Sequence, residues 1–198
     1  MLIKTTTQVR HRLEGFRPKK KWYRRFVNRS AVALILRQVD TGIEVLMIKR
    51  SEREGDRWSG HMAFPGGRTE QDDDHTLHTA HRETWEEIGL DMKQHTKFLG
   101  RLSDLRTHAL RGRQRMVITP YVFSIDKVPE LNINYEVAEV IWLPLNFLAA
   151  KENRQSMKWQ LKMMSVNLPC YHYRERLIWG LSLSMLDELV DLLVSAHK

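Results

Sequence analysis

The sequence predicts a single α/β unit, in the wider sense that includes α+β. Three observations carry the prediction. Ser30 to Arg37, Glu44 to Arg50 and Met116 to Ile125 are apolar, partly β-branched runs of strand length. From His75 or Thr76 to Ile88, the apolar positions Leu77, Ala80 and Ile88, with Thr84, fall on one face at helical spacing. Leu183, Leu186, Leu189, Val190 and Leu193 form a second core-facing stripe, on a helix from about Leu181 to Leu193. With 198 residues, 42% hydrophobic and 28% charged, the chain is long enough for a full core.

Composition narrows the function classes. No apolar run reaches membrane-spanning length. The single cysteine, Cys170, cannot form an internal disulfide, so a reducing, cytoplasmic setting is expected. Cys170 itself reads as a small packing residue, since nothing near it in sequence would activate a thiol. The net charge of +8 is uneven. Residues 1–29 hold ten Lys or Arg and one acid, whereas 30–198 hold 22 basic and 23 acidic residues. The chain therefore divides into a basic N-terminal arm, 1–29, and a near-neutral body, 30–198.

The arm sets Arg17, Lys19, Lys20, Lys21, Arg24 and Arg25 among Phe16, Trp22, Tyr23 and Phe26. Cations beside aromatics suit nucleic acid, so residues 10–29 are a candidate contact for it. The favoured reading is a solvated arm whose aromatics dock on the body. An Arg-rich, acid-poor start also fits a mitochondrial presequence, but the serine bias is missing.

In the body, the turn Asp40-Thr41-Gly42 joins the first two strands as a hairpin. Ser51 to Ser59 is polar and reads as a loop. Phe98 to Leu105 reads as a strand. Pro120 suggests that the strand from Met116 lies at an edge or carries a bulge. Between these two, Arg106, Arg111, Arg113 and Arg115 make a basic loop suited either to a phosphate or to solvent. Ile141 and Trp142 read as strand, and Leu145 to Ala150 as a short helix. Trp159, Met163, Met164, Tyr171 and Tyr173 read as core packing more readily than as a pocket wall.

The chemistry concentrates between Gly66 and Leu90, GGRTEQDDDHTLHTAHRETWEEIGL. On the helix there, Glu83, Glu86 and Glu87 stand at i, i+3 and i+4 and share a face. Three like charges so placed are costly unless a cation joins them, and clustered hard oxygens suit Mg²⁺ or Mn²⁺. Gly89 supplies the helix stop. Pro65-Gly66-Gly67 lets the backbone approach a ligand closely, or simply turns the chain before the helix. Asp72-Asp73-Asp74 reads as helix capping and solvation. His75, His78 and His81 read as surface residues, because a zinc site would want softer partners.

This stretch resembles the Nudix box, in which Gly, five residues, Glu and seven residues precede Arg-Glu-U-x-Glu-Glu-x-Gly-U, U being apolar. Arg82 to Leu90 matches, with Thr84 at the less apolar U. Counting back seven residues from Arg82 gives Asp74 where the family has Glu, with six residues between it and Gly67. Asp74 is equally placed to be the helix N-cap. The extra residue resembles the coenzyme A pyrophosphatase branch. So do Leu46 to Ser51 followed by Gly60 and Phe64-Pro65-Gly66-Gly67, although Asp56 stands at that signature's Arg position, beside Arg57. Ile178-Trp179-Gly180 before the last helix resembles the same branch.

The resemblance implies a mixed sheet packed between helices, with the box as loop-helix-loop. It implies a hydrolase that uses Mg²⁺ or Mn²⁺ to cleave a small-molecule nucleoside diphosphate, coenzyme A or an acyl-coenzyme A before other nucleotides or RNA ends. Glu83, Glu86, Glu87 and the Gly66 carbonyl are then the metal ligands, and Arg82 orients the carboxylates. Glu136 is the candidate for an additional carboxylate. Arg50, Arg57, Arg111 and Arg113 are the candidates for substrate. A non-catalytic binding module is the competing class, and intact Arg82-Glu83 and Glu86-Glu87 argue against it.

Overall fold

The computed structural model describes residues 4–55, 58–107, 116–161 and 164–194. Its frame is a mixed eight-stranded sheet built on β1 (Asn28–Val39). β1 runs parallel to β7 (Met116–Ile125) over ten paired positions and antiparallel to β2 (Gly42–Arg50). β5 (Thr96–Arg101) closes the far side against β7, and β8 (Val137–Pro144) pairs with β2.

The alternation of β1 sorts the core. Ala31, Ala33 and Ile35 face α2 (Thr76–Ile88), where Ala80, Ile88, Leu90 and Phe123 join them. Leu34 and Leu36 face the opposite layer, formed by α1 (Thr6–Gly15), α4 (Leu145–Ala149) and α5 (Gly180–Val194). Between α1 and α2 lies a 3₁₀ turn at Trp22–Phe26, and between α2 and β5 the short α3 (Met92–His95). The expected sandwich of a sheet between helices is present. A small sheet of β9 (Gln155–Leu161), β10 (Met164–Tyr173) and β11 (Arg176–Trp179) leads into α5. Tyr171 from it is buried, as is Cys170, whose thiol burial pushes upward in pKa, away from a nucleophile.

One irregularity positions the site. β1 and β2 pair only near their hairpin, from Leu36 and Val45 to the turn. Beyond that they splay, and the chain bridges the opening with β3 (Met62–Ala63) on β2 and β4 (Gly66–Arg68) on β1. The glycine pair therefore lies inside the sheet, at the mouth of the splay.

Three expectations are corrected. The strand expected from Phe98 to Leu105 breaks into β5 and β6 (Leu105–Arg106). Pro120 is neither at an outer edge nor in a bulge: β7 has neighbours on both sides, and Pro120 falls in the gap between β5 and β6. Its carbonyl accepts from Leu102 N–H on that side, where the missing proline N–H removes no ladder bond. In the arm, the aliphatic residues dock most deeply, with Phe16 packed against the same core cluster while the later aromatics Trp22 and Phe26 do not dock. Val9 and Leu13, at i and i+4 on α1, are buried, whereas Trp22 and Phe26 are 81% and 74% exposed. The segment before them is tied down by polar bonds instead. Buried Asp104 accepts from Lys21 N–H at 2.9 Å and from Thr119 at 3.0 Å, with the Arg24 guanidinium 3.6 Å away.

Candidate active site

Helix α2 points its carboxylates at the splay. His75 caps it, its Nδ1 accepting from His78 N–H at 3.0 Å, so Asp74 is not the N-cap and stands exposed. Gly89 ends the helix in the left-handed region at φ 66°. Thr84 occupies an apolar slot because its hydroxyl donates to the Ala80 carbonyl at 2.7 Å and so enters the core already satisfied.

Glu87 is 3% exposed and accepts from Gly66 N–H at 2.9 Å. Burial drives its pKa up to about 8; the Gly66 hydrogen bond and the Arg50 charge work against the rise, Glu83 and Glu136 with it. Burial also raises Glu83, against the pull of Arg82. Glu83 lies beside Gly67, where a Cβ would meet its carboxylate at 2.3 Å. Glu86 is half-exposed and takes both its oxygens to Arg82 Nη1, at 3.1 and 3.2 Å.

Arg82 organises the cluster. Besides Glu86 it donates to Glu83 at 3.0 Å, to the Arg68 carbonyl at 3.0 Å, and to both oxygens of Asp73 at 3.2 and 3.3 Å. Burial would raise the Asp73 carboxyl, but donors from Arg82, Glu70 N–H and Thr79 together hold it below its ordinary value. Asp73, not Asp74, is thus the acid of the first half of the box, and the extra residue follows it. Counting forward five residues from Gly67, instead of back from Arg82, lands on it.

Glu136 sits on the loop before β8. It is ion-paired with Arg53 at 3.5 Å, and near enough to Glu87 to raise its pKa. Arg50, which lines the cleft beside the glycine pair, lowers the pKa of Glu87 through its charge. Arg57, Arg111 and Arg113 lie outside the described residues.

A cleft of about 440 Å³ opens on the α5 side of the glycine pair. Ser30, Val32 and Ile118 floor it, Arg50 and Arg68 flank it, and Trp58, His61, Trp179 and Met185 wall it. Its aromatics are in contact: His61 is 5.7 Å from Trp58 and 5.2 Å from Trp179, centroid to centroid. The sequence reading missed this wall, because its residues come from segments more than a hundred positions apart. Glycine at 66 and 67 is what joins cleft and carboxylates. A Cβ on Gly66 would lie 2.2 Å from the Ala31 carbonyl, with φ at 148°.

The donors fit a hard divalent cation. Buried Glu87 and partly buried Glu83 are both raised by burial, which outweighs the pull of Arg50 on the first and of Arg82 on the second. Among the described residues no three His, Cys, Asp or Glu side chains converge into a closed cage, since Glu86 is drawn toward Arg82.

A family profile described as the NUDIX domain matches residues 27–162. The chain belongs to the Nudix family. Among its Nudix relatives, the mouse (Mus musculus) mitochondrial coenzyme A diphosphatase NUDT8 is 29% identical over 170 residues, covering 83% of this chain and 78% of that one. Nudix hydrolase 15, mitochondrial, of Arabidopsis thaliana is 31% identical, covering 80% and 56%. An uncharacterised Schizosaccharomyces pombe protein is 40% identical over 111 residues, but this chain spans only 34% of its length. Among solved structures, a MutT/nudix family protein from Enterococcus faecalis covers 95% of this chain and 73% of its own at a TM-score of 0.52 and 14% identity. That similarity concerns the Nudix fold alone. The profile ends before β10, β11 and α5, so much of the cleft wall lies outside the matched Nudix region.

Changing Gly67 to Ala tests the junction. Its φ is not positive and the clash is with the flexible end of Glu83, so the backbone tolerates alanine while the carboxylate must move. The expected result is a melting temperature within ~2 °C of wild type and a loss of at least ~10²-fold in any diphosphatase kcat.

Proposed function

We propose that this Nudix protein is a metal-dependent diphosphatase that cleaves the P–O–P bridge of a nucleoside diphosphate derivative, with coenzyme A or an acyl-coenzyme A as its substrate. The observation that carries the reading is the meeting, at Gly66-Gly67, of the α2 carboxylates with a cleft flanked by Arg50 and Arg68. Support for the substrate comes from the mouse relative, a coenzyme A diphosphatase similar over most of both chains.

The residues divide the work as follows. Arg50 and Arg68 draw the anionic diphosphate to the sheet opening. Arg82 and Asp73 fix the heading of Glu83 and Glu86. Glu83, Glu86, Glu87 and Gly66 are the residues that would hold Mg²⁺ or Mn²⁺, which when bound supplies positive charge to the phosphoryl oxygens and acidifies water. The same carboxylates accept the proton of the attacking water, and Glu136 stands next to them as a reserve carboxylate.

The test is a product-resolved screen with Mg²⁺ or Mn²⁺ over coenzyme A, acyl-coenzyme A, ADP-ribose, NADH, dinucleoside polyphosphates, oxidised nucleotides and capped RNA. Conversion of coenzyme A to 3′,5′-ADP and phosphopantetheine, lost in Glu87→Gln, is the expected result. Cleavage of another diphosphate alone would overturn the substrate, and no cleavage of any would overturn the enzyme reading.

A further inference from the structure

We propose that the segment from Arg17 to Phe26 is a docking surface for an anionic lipid bilayer. It lies outside the cleft and does not depend on the diphosphatase reading.

The sequence supplies charge of one sign. No acid occurs between Gly15 and Val39, while eight Lys or Arg do. Arg17, Lys19, Lys20 and Arg25 are all exposed, and none is ion-paired to a carboxylate among the described residues. Arg24 turns inward, to Asp104, Thr76 and Thr119, and Lys21 is partly buried. The outer cations remain uncompensated, so their field is complementary to a surface of negative headgroups.

The structure adds two large apolar side chains. Trp22 and Phe26 are the first and last residues of the 3₁₀ turn and stand clear of the protein at 81% and 74% exposure. A soluble surface usually hides such rings. Here they stand exposed at the two ends of a short turn amid cations, an arrangement suited to shallow insertion below the headgroups with Lys and Arg at headgroup level. A single-strand nucleic-acid site instead places its rings along a groove that tracks the phosphate backbone.

The turn is held in place before any partner arrives. Lys19 N–H donates to Ser103 at 2.9 Å, the Lys19 carbonyl accepts from Asp104 N–H at 3.0 Å, and Lys21 N–H donates to the buried Asp104 carboxylate. A fixed knob loses little freedom on binding, which favours association.

The experiment is co-sedimentation of the full chain with sucrose-loaded vesicles. One set is phosphatidylcholine; the other contains roughly one third phosphatidylglycerol. Three chains are compared: wild type, Trp22→Ser/Phe26→Ser, and Lys20→Ala/Arg25→Ala. All four positions are exposed, and melting curves verify that the variants fold. Wild type is expected to pellet with the anionic set only. Removing the two rings should lower partitioning at least ~10-fold. Removing two cations should lower it about 25-fold, at roughly fivefold each. No preference for anionic over neutral vesicles overturns the proposal. So does binding that survives loss of both rings. Tight binding of a single-stranded oligonucleotide with the same dependence on Trp22 and Phe26, without vesicle binding, assigns the surface to nucleic acid and overturns it too.

Discussion

Replacing Glu87 by Gln is expected to lower kcat at least ~10²-fold while making the metal-free protein more stable at alkaline pH. Both effects have one cause. Glu87 is buried against Gly66 with Glu83 beside it, and its pKa rises from an ordinary 4.5 to about 8. The folded state thus holds this proton more tightly than the unfolded chain does. The resulting stabilisation is complete below the unfolded value and is lost as pH rises through about 8. Wild type without divalent metal should melt at progressively lower temperature from pH 5 to pH 9. At roughly 1.4 kcal/mol per pKa unit, the contribution of this group is a few kcal/mol at most. Glutamine keeps an oxygen for Gly66 N–H and has no charge to bury, so the variant should show a flatter profile, at least ~3 °C above wild type at the alkaline end. Added Mg²⁺ should raise the melting temperature of wild type and leave the variant nearly unmoved. A variant within threefold of wild-type kcat, or one with the same pH profile, would remove Glu87 from its assigned place.

The parts of this molecule that were legible beforehand are those with local signals. The α2 carboxylates follow from 3.6-residue spacing, and the glycines of β4 from their own chemistry. The run in β1 names its strand because it is continuously apolar and buried on both faces, Ala31, Ala33 and Ile35 toward α2 and Leu34 and Leu36 away from it. What escaped was set by distant partners. Asp73 is one of three consecutive aspartates; counting back from Arg82 misses it, and Arg82 and Thr79, brought over it by α2, set it apart from Asp72 and Asp74. Pro120 obeys the rule about missing N–H groups, but at an internal gap that local sequence does not mark. The cleft wall joins Trp58 and His61 to Trp179 and Met185, with no periodicity to announce it. In the arm, Phe16 docks as its composition suggests, but the deepest contacts belong to Val9 and Leu13, an ordinary i, i+4 pair.

Arg82→Ala is expected to cost about 3 kcal/mol or more in stability and to abolish activity. The reasoning starts from Asp73, which is 6% exposed and whose hydrogen bonds from Arg82 help hold its carboxyl below the ordinary range. Without the guanidinium, a buried carboxylate keeps only Glu70 N–H and Thr79 as donors. Glu83 and Glu86 lose the same partner at the same time, so their headings relax. Arg82→Lys restores the charge but cannot reach Asp73, Glu83, Glu86 and the Arg68 carbonyl together, and should recover stability more than activity. The pH dependence separates this from a simple packing loss. A depressed carboxyl contributes stability above its unfolded pKa, lost as pH falls through the folded value. Wild type should therefore weaken steeply at the acid end, and Arg82→Ala should weaken less steeply there because its Asp73 is no longer depressed. A double-mutant cycle with Asp73→Asn completes the test. If Arg82 acts through Asp73, the asparagine costs less in the Arg82→Ala background than in wild type. Additive costs would mean that Arg82 serves the carboxylates of α2 directly, and that Asp73 only braces the turn.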